Sequence, residues 1–112
     1  MKLIKNPFND YGVTYGIVSN DTAQFKDYAR IDFYSGAKKV GQMLFGSAIA
    51  PGNNGGIVNG DEIHLFFPLS HFTNIIKLLR LEAGHALALY LEMDEVTNAA
   101  RMGGIILEAQ IR

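Results

Sequence analysis

Residues 62–93, EIHLFFPLSHFTNIIKLLRLEAGHALALYLEM, change their hydrophobic period twice, and those two changes decide the fold. Residues 62–67 form a β-rich run stopped by Pro68, which has no N–H to give to a sheet ladder. Phe72, Ile75, Ile76 and Leu79 then recur at i, i+3, i+4 and i+7, the apolar stripe of an amphipathic helix, while His71, Thr73, Asn74, Lys77 and Arg80 take the opposite face. Ser70 stands where an N-cap is expected and Gly84 where a left-handed residue closes the last turn. From His85 to Met93 the period returns to two, with Leu87, Leu89 and Leu91 alternating with Ala86, Ala88 and Tyr90. Both sides of that strand are largely apolar, so it is expected to be central and covered on each face.

Working outward, Tyr11, Val13, Tyr15 and Ile17 alternate with Gly12, Thr14 and Gly16, which predicts a strand over 11–18. A turn cluster, Ser19-Asn20-Asp21-Thr22, leads to a second strand over 28–34, where Ala29, Ile31 and Phe33 face inward and Tyr28, Arg30, Asp32 and Tyr34 face water. Ser35-Gly36-Ala37 closes a hairpin into a strand over 38–45, and Gly41 and Gly46 mark a bulge or a close backbone approach. Residues 46–60 hold five of the twelve glycines and read as a long loop ending in a short strand. Asn59-Gly60 has the residues of a tight hairpin turn into the strand at 62. After a turn at 94–98, residues 104–112 alternate as a last, half-exposed strand. The N-terminal Met1-Lys2-Leu3-Ile4-Lys5-Asn6-Pro7 is given no element, and it lacks the apolar run of a secretory signal.

The expected fold is α+β: one domain over 1–112, with a mainly antiparallel sheet of five to six strands and one helix, in the order β-β-β-(short β)-β-α-β-β. One helix covers only part of such a sheet, so the rest is expected to be covered by curling into a barrel or by a second subunit. The terminal strand, a possible open edge, and the tyrosines at 28 and 34 favour a homodimer or higher oligomer.

Composition narrows the function classes. Apolar residues make up 48% of the 112-residue chain and charged residues 19%, an ordinary globular balance. A net charge of −1 leaves no global positive field for nucleic acid or anionic membrane, so any such binding must be local. No segment is apolar for the roughly 20 residues that a bilayer span needs. The absence of cysteine removes disulfides and thiolate chemistry and fits a cytoplasmic location. No cofactor motif and no recognised metal-binding spacing is present. Asn20-Asp21-Thr22 matches a glycosylation acceptor only in the formal sense.

Four constellations remain. Tyr28, Arg30 and Tyr34, with Lys38 and Lys39 beyond the turn, resemble a platform on which bases stack and phosphates meet cations, although Asp32 shares their row and such tyrosines are also common on half-buried strands. The 46–60 loop, with Asn53, Asn54, Gly55 and Gly56, could cradle an anion with backbone N–H groups, but it lacks a phosphate-loop motif and a lysine. His64, His71 and His85 could pair for acid–base chemistry, or bind zinc with Glu62, while each is equally explained by surface or cap placement. Asp94 and Glu95 are read as a solvated turn. The expectation is a homo-oligomeric, non-enzymatic binding module with no cofactor. Its target is a small anionic or nucleotide-like ligand or single-stranded nucleic acid, taken by the 46–60 loop, the adjoining sheet face and His71. A small histidine-dependent hydrolase and a structural assembly protein are the alternatives.

Overall fold

The computed structural model describes residues 2–19, 25–46, 55–97 and 99–107. They form eight strands and one helix: β1 (Lys2–Phe8), β2 (Asp10–Ser19), β3 (Phe25–Ser35), β4 (Lys38–Gly46), β5 (Gly55–Asn59), β6 (Glu62–Pro68), α1 (Phe72–Leu81), β7 (Leu87–Met93) and β8 (Ala100–Leu107). The strands divide into two sheets, ordered β2-β3-β4-β6-β5 and β1-β7-β8, and neither closes into a barrel. All pairings are antiparallel except β4 with β6, because the β5–β6 hairpin inserts β6 between β4 and β5.

The expected single sheet of five or six strands is therefore corrected to two sheets, and the physical reason lies in β1. Ile4 and Phe8 face the core from this strand, but the position between them is Asn6, which breaks the apolar alternation. Asn6 satisfies its side-chain amide in the protein by donating to the carbonyl oxygens of Val40 and Asp61, at 2.8 Å each. The chain turns the corner from one sheet to the other at Asn9, whose N–H donates to Tyr34 O at 2.9 Å and whose side-chain oxygen accepts from Gly36 N–H at 3.1 Å.

The inner face of the five-stranded sheet is built from Ala29, Ile31, Phe33, Met43, Phe45, Ile63, Leu65 and Phe67. Leu87, Leu89 and Leu91 of β7 pack onto it from the three-stranded sheet, and Leu79 packs onto it from α1. Each such buried leucine contributes roughly 2 kcal/mol through removal of its apolar surface from water. The second sheet and the helix thus supply the cover that a single helix could not, so this need is met within one chain. As expected, β7 is central, between β1 and β8.

Gly41 joins both of its expected features. Phe33 pairs with Gly41 and Tyr34 with Lys39, which leaves Val40 as the extra residue of a bulge. A β-carbon on Gly41 would lie 2.4 Å from Ile63 O and 2.5 Å from Leu89 Cδ1, so the sheets meet closely there. The β5–β6 turn is Gly60-Asp61, one residue later than expected, with Gly60 at φ +63°. A short 3₁₀ turn, Leu69–His71, precedes α1, and Ser70 lies within it and makes no capping bond. Gly84 has φ +90° past the helix end, as expected.

Candidate functional site

The outer face of the five-stranded sheet is the one that turns away from the core. Alternation brings Thr14, Arg30, Leu44 and Phe66 into one cross-strand row and Gly12, Asp32, Gln42, His64 and Ile57 into the next. Tyr28 and Tyr34 lie further along β3 on the same face, six residues or roughly 20 Å apart. A β-carbon on Gly16 would sit 3.7 Å from the Tyr28 ring, so the ring lies across a glycine of the neighbouring strand.

Asp32 organises the charges of this face. Its side chain is only 12% exposed; Arg30 Nε donates to its Oδ2 at 3.2 Å and Lys39 Nζ lies 3.1 Å from its Oδ1. The second contact is an ion pair without a well-aligned hydrogen bond, because Oδ1 has no donor in line. Lys39 also donates to Gln42 Oε1 at 2.8 Å. One buried carboxylate therefore fixes two cations, and the Nη edge of Arg30 takes no partner among the described residues. Beside it, His64 Nε2 is 2.9 Å from Glu62 Oε1. Arg30 and Lys39 are offset by Asp32 and Glu62, so the face is close to neutral while its individual groups are positioned.

Tyr28, Arg30 and Tyr34 are thus brought to one face, with Lys39, Gln42, Glu62 and His64 beside them; Lys38 instead pairs with Asp61 at 3.2 Å in the adjoining turns. Gln42 and His64 were missed as members of this face: the β3–β4 hairpin sets Gln42 opposite Asp32, and the pairing of β4 with β6 then sets His64 opposite Gln42. Asn53 and Asn54 lie outside the described residues. Gly55 begins β5 opposite Phe66, whereas Gly56 pairs with Leu65 and turns inward, where its β-carbon would meet Leu91 and Leu65. Gly56 instead lines a cavity of about 140 Å³ at the seam between β5 and β8, with Leu65, Phe67, Leu91 and Gly103.

His71 does not join the face either. Its ring stacks on Phe67, whose side chain belongs to the core, at 5.8 Å and 26°. His85 pairs with Glu82 at 3.1 Å beyond the helix, and His64 points off the outer face. Each histidine has its own neighbour, and no two share a site. Among the described residues no group of three or more His, Cys, Asp or Glu is placed to hold a metal ion. No described helix is long and apolar enough to cross a membrane. Asp94 is held below its ordinary value of 3.8 by the N–H groups of Val96 and Thr97, and it organises the β7–β8 turn. Comparisons with protein-family models, curated proteins and solved structures return no match for this chain.

Proposed function

We propose that the protein is a self-associating, non-enzymatic binding module whose outer sheet face takes a nucleotide-like ligand, either free or as a unit of a single strand. The observation that carries this reading is the Asp32-held Arg30 on β3 between Tyr28 and Tyr34, with its Nη edge unpartnered among the described residues. A planar base gains about 1–3 kcal/mol by stacking on an aromatic ring, and a guanidinium fork fits phosphate oxygens in a bidentate pair. Gly46 pairs with Tyr28 and Gly55 with Phe66, so both described ends of the 46–60 segment border this face.

Fluorescence titration with a mononucleotide and with an oligothymidylate tests the proposal and separates its two sources. The expected result is saturable binding of at least one probe, weakened about tenfold by Arg30→Gln, which corresponds to about 1.4 kcal/mol. The salt dependence is expected to be shallow, with a slope of about −0.7 per phosphate engaged, because Asp32 and Glu62 offset the cations. Absence of binding at millimolar probe, or full binding by Arg30→Gln, contradicts the reading.

A further inference from the structure

We propose that two copies of this chain join edge to edge through β2, with Thr14 facing the partner's Thr14, so that two five-stranded sheets become one sheet of ten strands. This rests on the self-association half of the reading above and is independent of its ligand half.

The four edges of the two sheets are protected differently. A strand edge carries a row of unpaired N–H and C=O groups, and proteins guard it with lysine, proline, bulges, short length or a neighbouring element. β1 carries Lys2, Lys5 and Pro7. β5 is only five residues long and lies along β8, where Gly56 and Gly103 let the two backbones approach. Among the described residues, β2 has none of these devices along its outer edge. It runs for ten residues without lysine, arginine or proline, and it pairs with β3 without a register shift. Its only charge is Asp10 at one end. Val13 is 47% and Tyr15 57% exposed, so the bare edge also carries apolar side chains.

The occupant follows from the sequence of the edge itself. A two-fold axis perpendicular to the sheet and passing through Thr14 sets Val13 opposite Tyr15 of the partner subunit and Gly12 opposite Gly16 of the partner subunit. Antiparallel neighbours directly opposite each other must point to the same face, and this register satisfies that condition at each position. β-branched against aromatic and threonine against threonine are both stabilising cross-strand pairs. The two Asp10 carboxylates end up eight residues apart along the ladder, roughly 27 Å, beyond the reach of repulsion in physiological salt. Val13 and Tyr15 face the helix side, where Tyr15 already meets Phe72 at 5.8 Å, so the new contact continues an existing apolar surface. On the opposite face, Thr14 and Arg30 of each copy share one row across the junction.

The test uses the absence of native cysteine. Directly opposed strand residues have Cα atoms about 4.5–5.5 Å apart, within disulfide range. Thr14→Cys is expected to give a covalent dimer on mild oxidation, whereas Gly12→Cys, offset by four residues from its own copy, is not. Sedimentation of the unaltered chain at micromolar concentration is expected to give twice 12.3 kDa. Val13→Lys with Tyr15→Lys is expected to give a monomer with an unchanged circular dichroism spectrum. Leu3→Lys with Met102→Lys, equal in charge but on the other sheet, is expected to remain a dimer. A 12.3 kDa wild-type monomer, as for an edge reserved for a foreign strand, overturns the proposal, and so does a Thr14→Cys chain that fails to crosslink. A dimer that binds no nucleotide removes the ligand reading alone, a monomer that binds one removes self-association together with this proposal, and a dimer whose Thr14→Cys form fails to crosslink removes this proposal alone.

Discussion

The two sheets share a motif on their outer faces and use it differently. Tyr28 lies across Gly16 on the five-stranded sheet, and Tyr90 lies across Gly104 on the three-stranded one, where a β-carbon would sit 3.4 Å from the ring. Around Tyr28 a buried carboxylate fixes Arg30 and Lys39 in place. Around Tyr90, Lys5 stands directly opposite on β1 and Glu92 lies between Leu3 and Met102, both exposed, while the β1 edge is guarded by lysines and a proline. An aromatic ring over a glycine is thus a sheet-packing device common to both. What distinguishes the face of Tyr28 is a buried carboxylate that holds two cations, together with the β2 edge that borders it.

The largest expected effect concerns Gly41, which packs against its paired strand β6 and against Leu89 of the second sheet. Gly41→Ala forces a β-carbon against Ile63 O, a backbone atom that cannot move aside, and is expected to cost about 3 kcal/mol in chemical denaturation. Gly12→Ala, with open space around it, is expected to change stability by less than about 0.5 kcal/mol. Equal losses would mean that the sheets are not packed as described.

Next in size is a direct contest between the two tyrosines. Tyr28→Ala is expected to weaken nucleotide binding by about 1–2 kcal/mol, while Tyr90→Ala leaves it unchanged. Equal effects on titration would erase the functional difference between the faces.

Asp32→Asn sharpens the comparison in another way. It releases Arg30 and Lys39, which are partly exposed, so the stability cost is expected to be about 1 kcal/mol, less than for a fully buried pair. The same change raises the positive charge of the face, so binding of an oligonucleotide is expected to become more salt-dependent. An unchanged salt slope would show that these cations do not meet phosphate.

The smallest effect lies in the β7–β8 turn. The pKa of Asp94 is depressed by the N–H groups of Val96 and Thr97, so its contribution is present above pH 3.8 and is lost as the pH falls through the lower folded value. Asp94→Ala is expected to lower the melting temperature slightly at pH 7 and to match the wild type in strong acid. A difference that grows on acidification would contradict this sign.

Strands over most of β2, β3, β4, β6 and β7, and the helical stripe of α1, were legible because their periods of two and 3.6 are carried by residues that do face the core. The grouping into two sheets was not, because Asn6 occupies an inward position of β1 and conceals its alternation. The tyrosine and arginine row of β3 was legible for the same reason that β3 itself was. The pairing of β4 with β6 was not, since a parallel neighbour separated by an intervening hairpin leaves no local signal, and His64 stayed out of view with it. Gly56 and His71 lie away from the outer face, Gly56 turned inward on β5 and His71 stacked on Phe67 at the start of the helix, and sequence spacing does not carry either placement.

The account rests most on the outer face of the five-stranded sheet being the recognition surface, and amide chemical-shift mapping during titration with a mononucleotide and an oligothymidylate tests that most directly. The expected perturbations fall on Thr14, Tyr28, Arg30, Tyr34 and Gln42. Perturbations centred on Leu3, Tyr90 and Met102, or none at saturating probe, would contradict it.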